Sequence, residues 1–300
     1  MMWWEGLLIG IAGVWAGAIN TVVGSGTLVT FPVLVALGYP PVTATTSNAV
    51  GLITGTITGA YGYRHELTGQ GRRVARLAVA SFFGAIGGTV LLLSLPKDAF
   101  EVIVPVLVGM SVLLVALQPL ATRRLRERKA AKAEAEAAAA TITPAEPTPA
   151  DGPATPADGP ATPPTSPAAA PATPPTTPAG TEAAPFTPLL YVLIFLIGVY
   201  GGYFTAAQGI MLVGVMGLLL ADPLQRVNAF KNVLSAVVNF VAGVIYAVVA
   251  PVDWAVIAIL AVGSILGGFL GARIGRRLSP TVLRTTVIVI GLVAVVRLLV

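Results

Sequence analysis

Two long apolar blocks, residues 5–118 and 189–300, constrain this chain more than any other feature. A helix of about 20 apolar residues spans the ~30 Å hydrocarbon core of a bilayer, and each block holds several such stretches. With 55% hydrophobic residues, 10% charged residues and a mean hydropathy of +0.85, the chain is excluded from the ordinary soluble enzymes. The first apolar stretch carries no basic residue among Met1 to Glu5 and has a counterpart later in the chain. It is therefore expected to remain in the mature protein and not to act as a signal peptide.

Between the blocks the composition changes abruptly. Residues 119–140 read PLATRRLRERKAAKAEAEAAAA, a basic stretch shading into Ala and Glu that predicts a helix extending beyond the membrane. From Thr141 to Pro188 the chain is mostly Pro, Ala and Thr, with ADGPATP in tandem at Ala150 and Ala157. Such a segment cannot bury a core and is expected to be a disordered, partly polyproline II tether.

The two blocks resemble each other. At a constant offset of 185, Gly13, Val14, Gly17, Gly24, Leu34, Val42, Ala44 and Tyr61 fall on Gly198, Val199, Gly202, Gly209, Leu219, Val227, Ala229 and Tyr246. After a short gap Gly87 and Gly88 fall on Gly267 and Gly268. An ungapped match of this kind indicates duplication. Charge then orients the copies. Arg64, Arg72, Arg73 and Arg76 follow the apolar run at 43–62, whereas its counterpart at 225–249 is followed by APVDW, without a basic residue. One loop later the pattern reverses: SLPKDAF holds only Lys97, while its counterpart holds Arg273, Arg276, Arg277 and Arg284. If Lys and Arg mark the cytoplasmic side, the repeats are inverted.

Inversion requires an odd number of crossings, yet hydropathy alone gives four runs per block. Residues 5–37 and 189–221 are each 33 long, about 50 Å of helix, and are interrupted at Gly24-Ser25-Gly26 and at Gln208-Gly209. Each is read as two pieces broken at membrane depth, which gives ten membrane segments. The expected fold is an all-α polytopic membrane protein. It consists of two inverted repeats, 1–118 and 189–300, each a broken-helix hairpin plus three transmembrane helices, joined by the cytoplasmic segment 119–188.

Few polar residues lie inside the apolar runs. Asn228, Lys231, Asn232, Ser235 and Asn239 share one helical face, and Thr43, Thr46, Ser47 and Thr54 occupy the positions 185 before Asn228, Lys231, Asn232 and Asn239. Asn48 lies beside them. The breaks at Asn20 to Thr27 and at Thr205 to Gln208 supply freed backbone N–H groups and hydroxyls nearby, the equipment needed to repay the desolvation of a small oxyanion. The candidate substrate-binding set is Asn20, Thr21, Gly24, Ser25, Gly26, Thr46, Ser47, Asn48, Gln208, Gly209, Asn228, Lys231 and Asn232. Lys231 is the one basic residue on such a stripe, placed to supply positive charge unless it snorkels to the interface. Small-xxx-small pairs such as Gly13/Gly17, Gly84/Gly88 and Gly263/Gly267/Gly271 are expected to serve close helix packing. Trp3, Trp4 and Trp254 read as interfacial anchors.

Other chemistries lack their residues. The chain has no cysteine and one histidine, His65, so no Cys- or His-built metal site, thiolate nucleophile or haem attachment is expected. Outside 119–188 the carboxylates are Glu5, Glu66, Asp98, Glu101, Asp222 and Asp253, all near segment ends, and HExxH, GxxxxGK[ST] and a Ser/His/Asp set are missing. No enzyme, no cofactor and no nucleic-acid partner is expected. The basic clusters beside apolar runs suit a lipid surface, and a homo-oligomer remains open.

The stretch AGAINTVVGSGTLVTFPVLVALGYPPVTATTSNAVGLITG, with a second copy of its pattern after the linker, resembles the sulfite exporter TauE/SafE family of membrane permeases, also called TSUP. The resemblance covers both apolar blocks and implies transport of small sulfur-containing anions, such as sulfite, sulfonates or related organic acids. The expected protein is a secondary transporter in the cell membrane, a bacterial plasma membrane, working by alternating access. The competing class is a membrane scaffold or assembly factor that uses the tether for partners, but a scaffold gains little from polar groups at depth.

Charge placement puts the linker in the cytoplasm and both termini outside. In this cysteine-free chain, a cysteine at position 2 should react with an impermeant reagent from outside and one at Ala170 should not. The reverse pattern would overturn the inverted-repeat topology.

Overall fold

The computed structural model describes residues 2–141, 187–220, 222–274 and 280–299, and every regular element among them is helical. The α-helices are α1 (Trp3–Val22), α2 (Thr27–Ala36), α3 (Pro41–Gly51), α4 (Ile53–Gly62), α5 (Gly71–Ser94) and α6 (Lys97–Thr141), then α7 (Pro188–Tyr203), α8 (Gln208–Leu219), α9 (Leu224–Val249), α10 (Trp254–Ile274) and α11 (Pro280–Leu299). Short 3₁₀ turns occupy Arg64–Leu67 and Thr205–Ala207. The chain divides into two compact units, Met1–Glu127 with Phe186–Val300, and Arg128–Pro185. Of the second unit, the described part is the end of α6. The expected polyproline tether lies outside the described residues.

Five of the described helices are long and apolar enough to cross a membrane: Trp3–Val22, Gly71–Ser94, Val102–Leu120, Leu224–Val249 and Trp254–Arg273. They carry many exposed large apolar side chains, among them Trp3, Phe83, Val102, Val248, Trp254 and Val262, a surface that suits lipid and not water. This is an all-α membrane protein.

Both 33-residue runs are split. The first becomes helices of 20 and 10 residues, and the second becomes 16 and 12 residues with an extended Phe204 and a 3₁₀ turn between them. The second break thus begins four residues before the Gln208-Gly209 pair that signals it in the sequence. The run at 43–62 is also divided, at Leu52, but hydrogen bonds from Leu52 N to Asn48 O and from Thr56 N to Leu52 O carry the ladder across. At this point Thr56 Oγ1 shares its one donor between Leu52 O and Ile53 O at 3.1 and 2.8 Å, a pattern that bends helices. By contrast, 97–141 is one helix with Pro105 and Pro119 inside it, and its last three turns are the Ala/Glu-rich stretch.

The halves of the sequence exchange helices. α1 packs along α10, and α7 packs along α5. Glycines make both contacts close: a Cβ on Gly17 would sit 2.4 Å from Ser264 O, one on Gly267 2.0 Å from Val14 O, and one on Gly88 1.9 Å from Val199 O. The expectation that the small-xxx-small pairs serve packing holds at these crossings. Polar cross-links accompany them. Thr54 Oγ1 donates to Ala261 O at 3.1 Å and Ser264 Oγ to Gly51 O at 3.0 Å, tying the kinked α3–α4 segment to α10. Tyr246, near the end of α9, donates to Gly202 O.

Filling one crossing tests this interface. Gly88→Ala should force the α5–α7 backbones apart and cost about 1–3 kcal/mol, the usual penalty for overpacking, seen as a lower Tm of the purified protein in detergent. An unchanged Tm would mean that the helices are not in backbone contact there.

Candidate functional site

The two breaks meet. α1 ends where Val23 N donates to Ile19 O at 2.7 Å and Gly24 N to the same carbonyl at 3.0 Å. Gly24 then turns the chain with φ +91°, a left-handed conformation that costs a side-chain-bearing residue roughly 1–2 kcal/mol. Across from it, Gly209 at the start of α8 donates its N–H to Gly24 O at 3.1 Å. A Cβ on Gly209 would lie 2.5 Å from Gly24 Cα, and one on Gly24 2.6 Å from Gly209 Cα. The residues that touch are the ones paired by the 185-residue offset.

Lys231 closes this junction. It lies in the second turn of α9 and is fully buried, and its Nζ donates to Asn20 O and Thr21 O at 2.9 Å each. These carbonyls belong to the last turn of α1, where an α-helix has acceptors without intrahelical donors and a partial negative charge. Lys231 therefore does not snorkel to the interface. These two bonds hold the end of α1, and in the ammonium form a third N–H is left for another partner.

Around the junction are polar atoms without a protein partner. Ser25 Oγ, Gln208 Nε2 and Asn232 Nδ2 are buried and make no hydrogen bond. Ser25 and Gln208 adjoin the touching glycines in sequence, Asn232 adjoins Lys231, and the Gln208 side chain packs where a Cβ on Gly201 would be. Buried amides and hydroxyls in proteins are nearly always paired, so three orphans near one break need an explanation.

The structure distributes the remaining candidates differently. Asn48 donates to Thr27 Oγ1 at 3.0 Å and accepts from Thr30 Oγ1, which staples α3 to α2. Thr46 Oγ1 donates to Pro251 O at 2.7 Å, and Ser47 Oγ accepts from Asp253 N at 2.9 Å. Both thus reach the segment between α9 and α10 and not Lys231. Asn228 and Asn20 are half-buried. Thr21 Oγ1 returns to Gly17 O at 2.9 Å, and Gly26 fits against Ala16, whose carbonyl a Cβ would approach to 2.4 Å. Among the described residues no three of His, Cys, Asp and Glu are grouped to hold a metal ion.

Sequence reasoning missed the ionic cluster at the start of α5 and α9. Arg73 holds Asp222 in two bonds, Nη2 to Oδ2 at 2.9 Å and Nη1 to Oδ1 at 3.2 Å, and Arg226 adds a third at 3.0 Å. Burial by itself would raise the Asp222 carboxyl, but the hydrogen bonds from Arg73 and Arg226 outweigh it and hold the group below its usual value, so it stays ionised. Nothing local could have paired residues 149 apart. Thr30 was missed for the same reason.

The model of the sulfite exporter TauE/SafE family matches residues 9–298. The chain belongs to the sulfite exporter TauE/SafE family. It is accordingly a membrane transporter, and the resemblance carried by the glycine-broken motif and its second copy extends to nearly the whole chain. Neither a curated protein nor a solved structure matches it.

The junction makes a direct prediction. Gly209→Ala should push α8 off Gly24 at a cost of about 1–3 kcal/mol and lower the Tm. The neighbouring Gly214, whose Cβ would meet nothing within 4 Å, should tolerate alanine without loss. Equal effects of the two substitutions would contradict the crossing.

Proposed function

We propose that this transporter moves a small anion, sulfite, a sulfonate or a related organic acid, by alternating access between two inverted repeats, with its binding site at the junction of the two breaks. One observation carries the reading. Lys231 is fully buried with no carboxylate in contact among the described residues, in its ammonium form it keeps one N–H unspent, and the two breaks and its own helix carry Ser25 Oγ, Gln208 Nε2 and Asn232 Nδ2 without partners. A bound anion supplies both the missing hydrogen-bond partners and the missing counter-charge. The candidate residues Asn20, Thr21, Gly24, Ser25, Gly26, Gln208, Gly209, Lys231 and Asn232 belong to the two breaks and to the turn of α9 that bonds the end of α1. Asn48, Thr46, Ser47 and Asn228 lie on the two helices that would move around it.

Inversion is supported by how the ends of the helices meet. The start of α3 bonds to the segment just after α9, through Thr46 with Pro251 and Ser47 with Asp253. The start of α9 bonds to the start of α5, which follows α4, through Asp222 and Arg73. The kinked α3–α4 segment and its counterpart α9 therefore run in opposite directions, as inverted copies must. Contact between Gly24 and Gly209, equivalent residues of the two copies, is what a two-fold axis through the junction requires. The basic residues Arg64, Arg72, Arg73, Arg76 and Arg226 gather at the end where α5 and α9 begin, which supports a cytoplasmic location for that end and for the linker.

Flux into proteoliposomes of sulfite, sulfate, taurine, sulfoacetate and a carboxylate control tests the substrate class. Ser25→Ala and Gln208→Met each remove a buried polar atom that has no protein partner. They should leave the Tm unchanged or slightly raised while lowering anion affinity. Lys231→Gln should lower affinity strongly, and Lys231→Arg should keep part of it. Wild-type affinity and flux in Ser25→Ala, Gln208→Met and Lys231→Gln together would place the anion elsewhere.

A further inference from the structure

The pair Arg73–Asp222 joins the two halves of the sequence at one end of the protein. Asp222 is 7% exposed, and Arg73 is further fixed by a 2.7 Å bond to Gln70 Oε1 and by its guanidinium 5.8 Å from the centre of the Phe230 ring. Arg226 also binds Asp222, but it stands four residues along in the same half, so that bond does not cross between the halves. Asp222 leads directly into α9, and two turns further on α9 carries Lys231, which holds the end of α1.

The opposite end contains the equivalent corner. The 180-residue offset that matches Gly87 and Gly88 with Gly267 and Gly268 carries Arg73 onto Asp253, at the start of α10. There the contact with α3 is made by neutral groups: Asp253 N donates to Ser47 Oγ at 2.9 Å and Thr46 Oγ1 to Pro251 O at 2.7 Å. The Asp253 carboxylate is occupied at its own helix start, accepting from Ala255 N and Val256 N at 2.9 and 3.0 Å. The 185-residue offset carries Asp222 onto Leu37, so the charge pair has no counterpart at this corner, which is held by neutral hydrogen bonds instead.

We propose that Arg73 and Asp222 form an ionic latch that biases the transporter towards the state closed at its arginine-rich end. The inference rests on the inverted-repeat, alternating-access reading above. In such a transporter the two end states exchange the roles of equivalent corners, so identical corners would contribute equally to both. These corners are unequal. A two-bond Arg–carboxylate pair with little exposure is stronger than neutral hydrogen bonds, and opening its end breaks both bonds from Arg73 to Asp222. The population therefore shifts towards the state in which the charge pair is made, and passage through the arginine-rich end requires that it break.

Two reporters 185 residues apart read this balance. Thr43→Cys and Asn228→Cys sit at equivalent, half-buried positions near opposite ends of a chain that has no cysteine of its own. Each is placed in the full-length protein in nanodiscs, where both faces are accessible, and its rate of labelling by a water-soluble maleimide is measured without substrate. Asp222→Asn should raise labelling at position 228 several-fold and lower it at position 43. Arg73→Gln should do the same, and it keeps the test alive if Asp222→Asn fails to fold. Arg226→Gln, which spares the link between halves, should leave both rates close to those of the parent.

Unchanged rates in the Asp222 and Arg73 variants would overturn the latch. A rise at 228 without a fall at 43 would also overturn it, because that is local loosening and not a shift between states. The readout does not depend on flux. Reciprocal labelling in a protein that carries none of the tested anions would keep the latch and remove the anion assignment, whereas anion flux with no reciprocity would do the opposite.

Discussion

A helix cannot stop inside a bilayer without leaving its last carbonyls unpaired, and lipid offers them nothing. The arrangement of this protein depends on how that cost is met where α1 ends. Lys231 crosses from α9 to bind Asn20 O and Thr21 O, and Gly24 offers its carbonyl to Gly209 N. The acceptors freed by one break are thus satisfied by donors from the other half of the sequence. This requirement brings α1, α8 and α9 to one point, and the remaining helices pack around them.

Close approach of backbones follows from the same junction. With Gly24 and Gly209 in contact, α1 and α7 must each lie deep against a helix of the opposite half. Gly17, Gly267 and Gly88 allow this by removing the side chains that would separate the axes. Leucine side chains are no better solvated by protein than by lipid, so contact of small residues and hydrogen bonds through Thr54, Ser264 and Tyr246 does the work that burial does in water. The apolar side chains left outside, such as Val102 and Val262, meet the hydrocarbon.

Polar groups inside such a protein divide by whether their partner is protein. Asn48, Thr46 and Ser47 are satisfied by Thr27, Thr30, Pro251 and Asp253, and they join helices. Ser25 Oγ, Gln208 Nε2 and Asn232 Nδ2 are buried without partners, next in sequence to Gly24, Gly209 and Lys231. The first group holds the frame and the second leaves unfilled bonding capacity where the frame is broken.

The sequence by itself determined what depends on local order: helices from the length and apolarity of the runs, the two breaks from Gly24-Ser25-Gly26 and Gln208-Gly209, and the family from the motif around them. It also picked out Lys231 and the glycine pairs by their spacing. Partnership was beyond its reach. That Lys231 holds carbonyls 210 and 211 residues away, that Asp222 answers Arg73, and that Thr46 and Ser47 reach Pro251 and Asp253 instead of the lysine were decided only by tertiary structure. The reason is physical. Helical periodicity tells which residues share a face, but in a membrane, where apolar burial favours no particular contact, the pairing of faces is chosen by which backbones can come close and which polar groups must be satisfied.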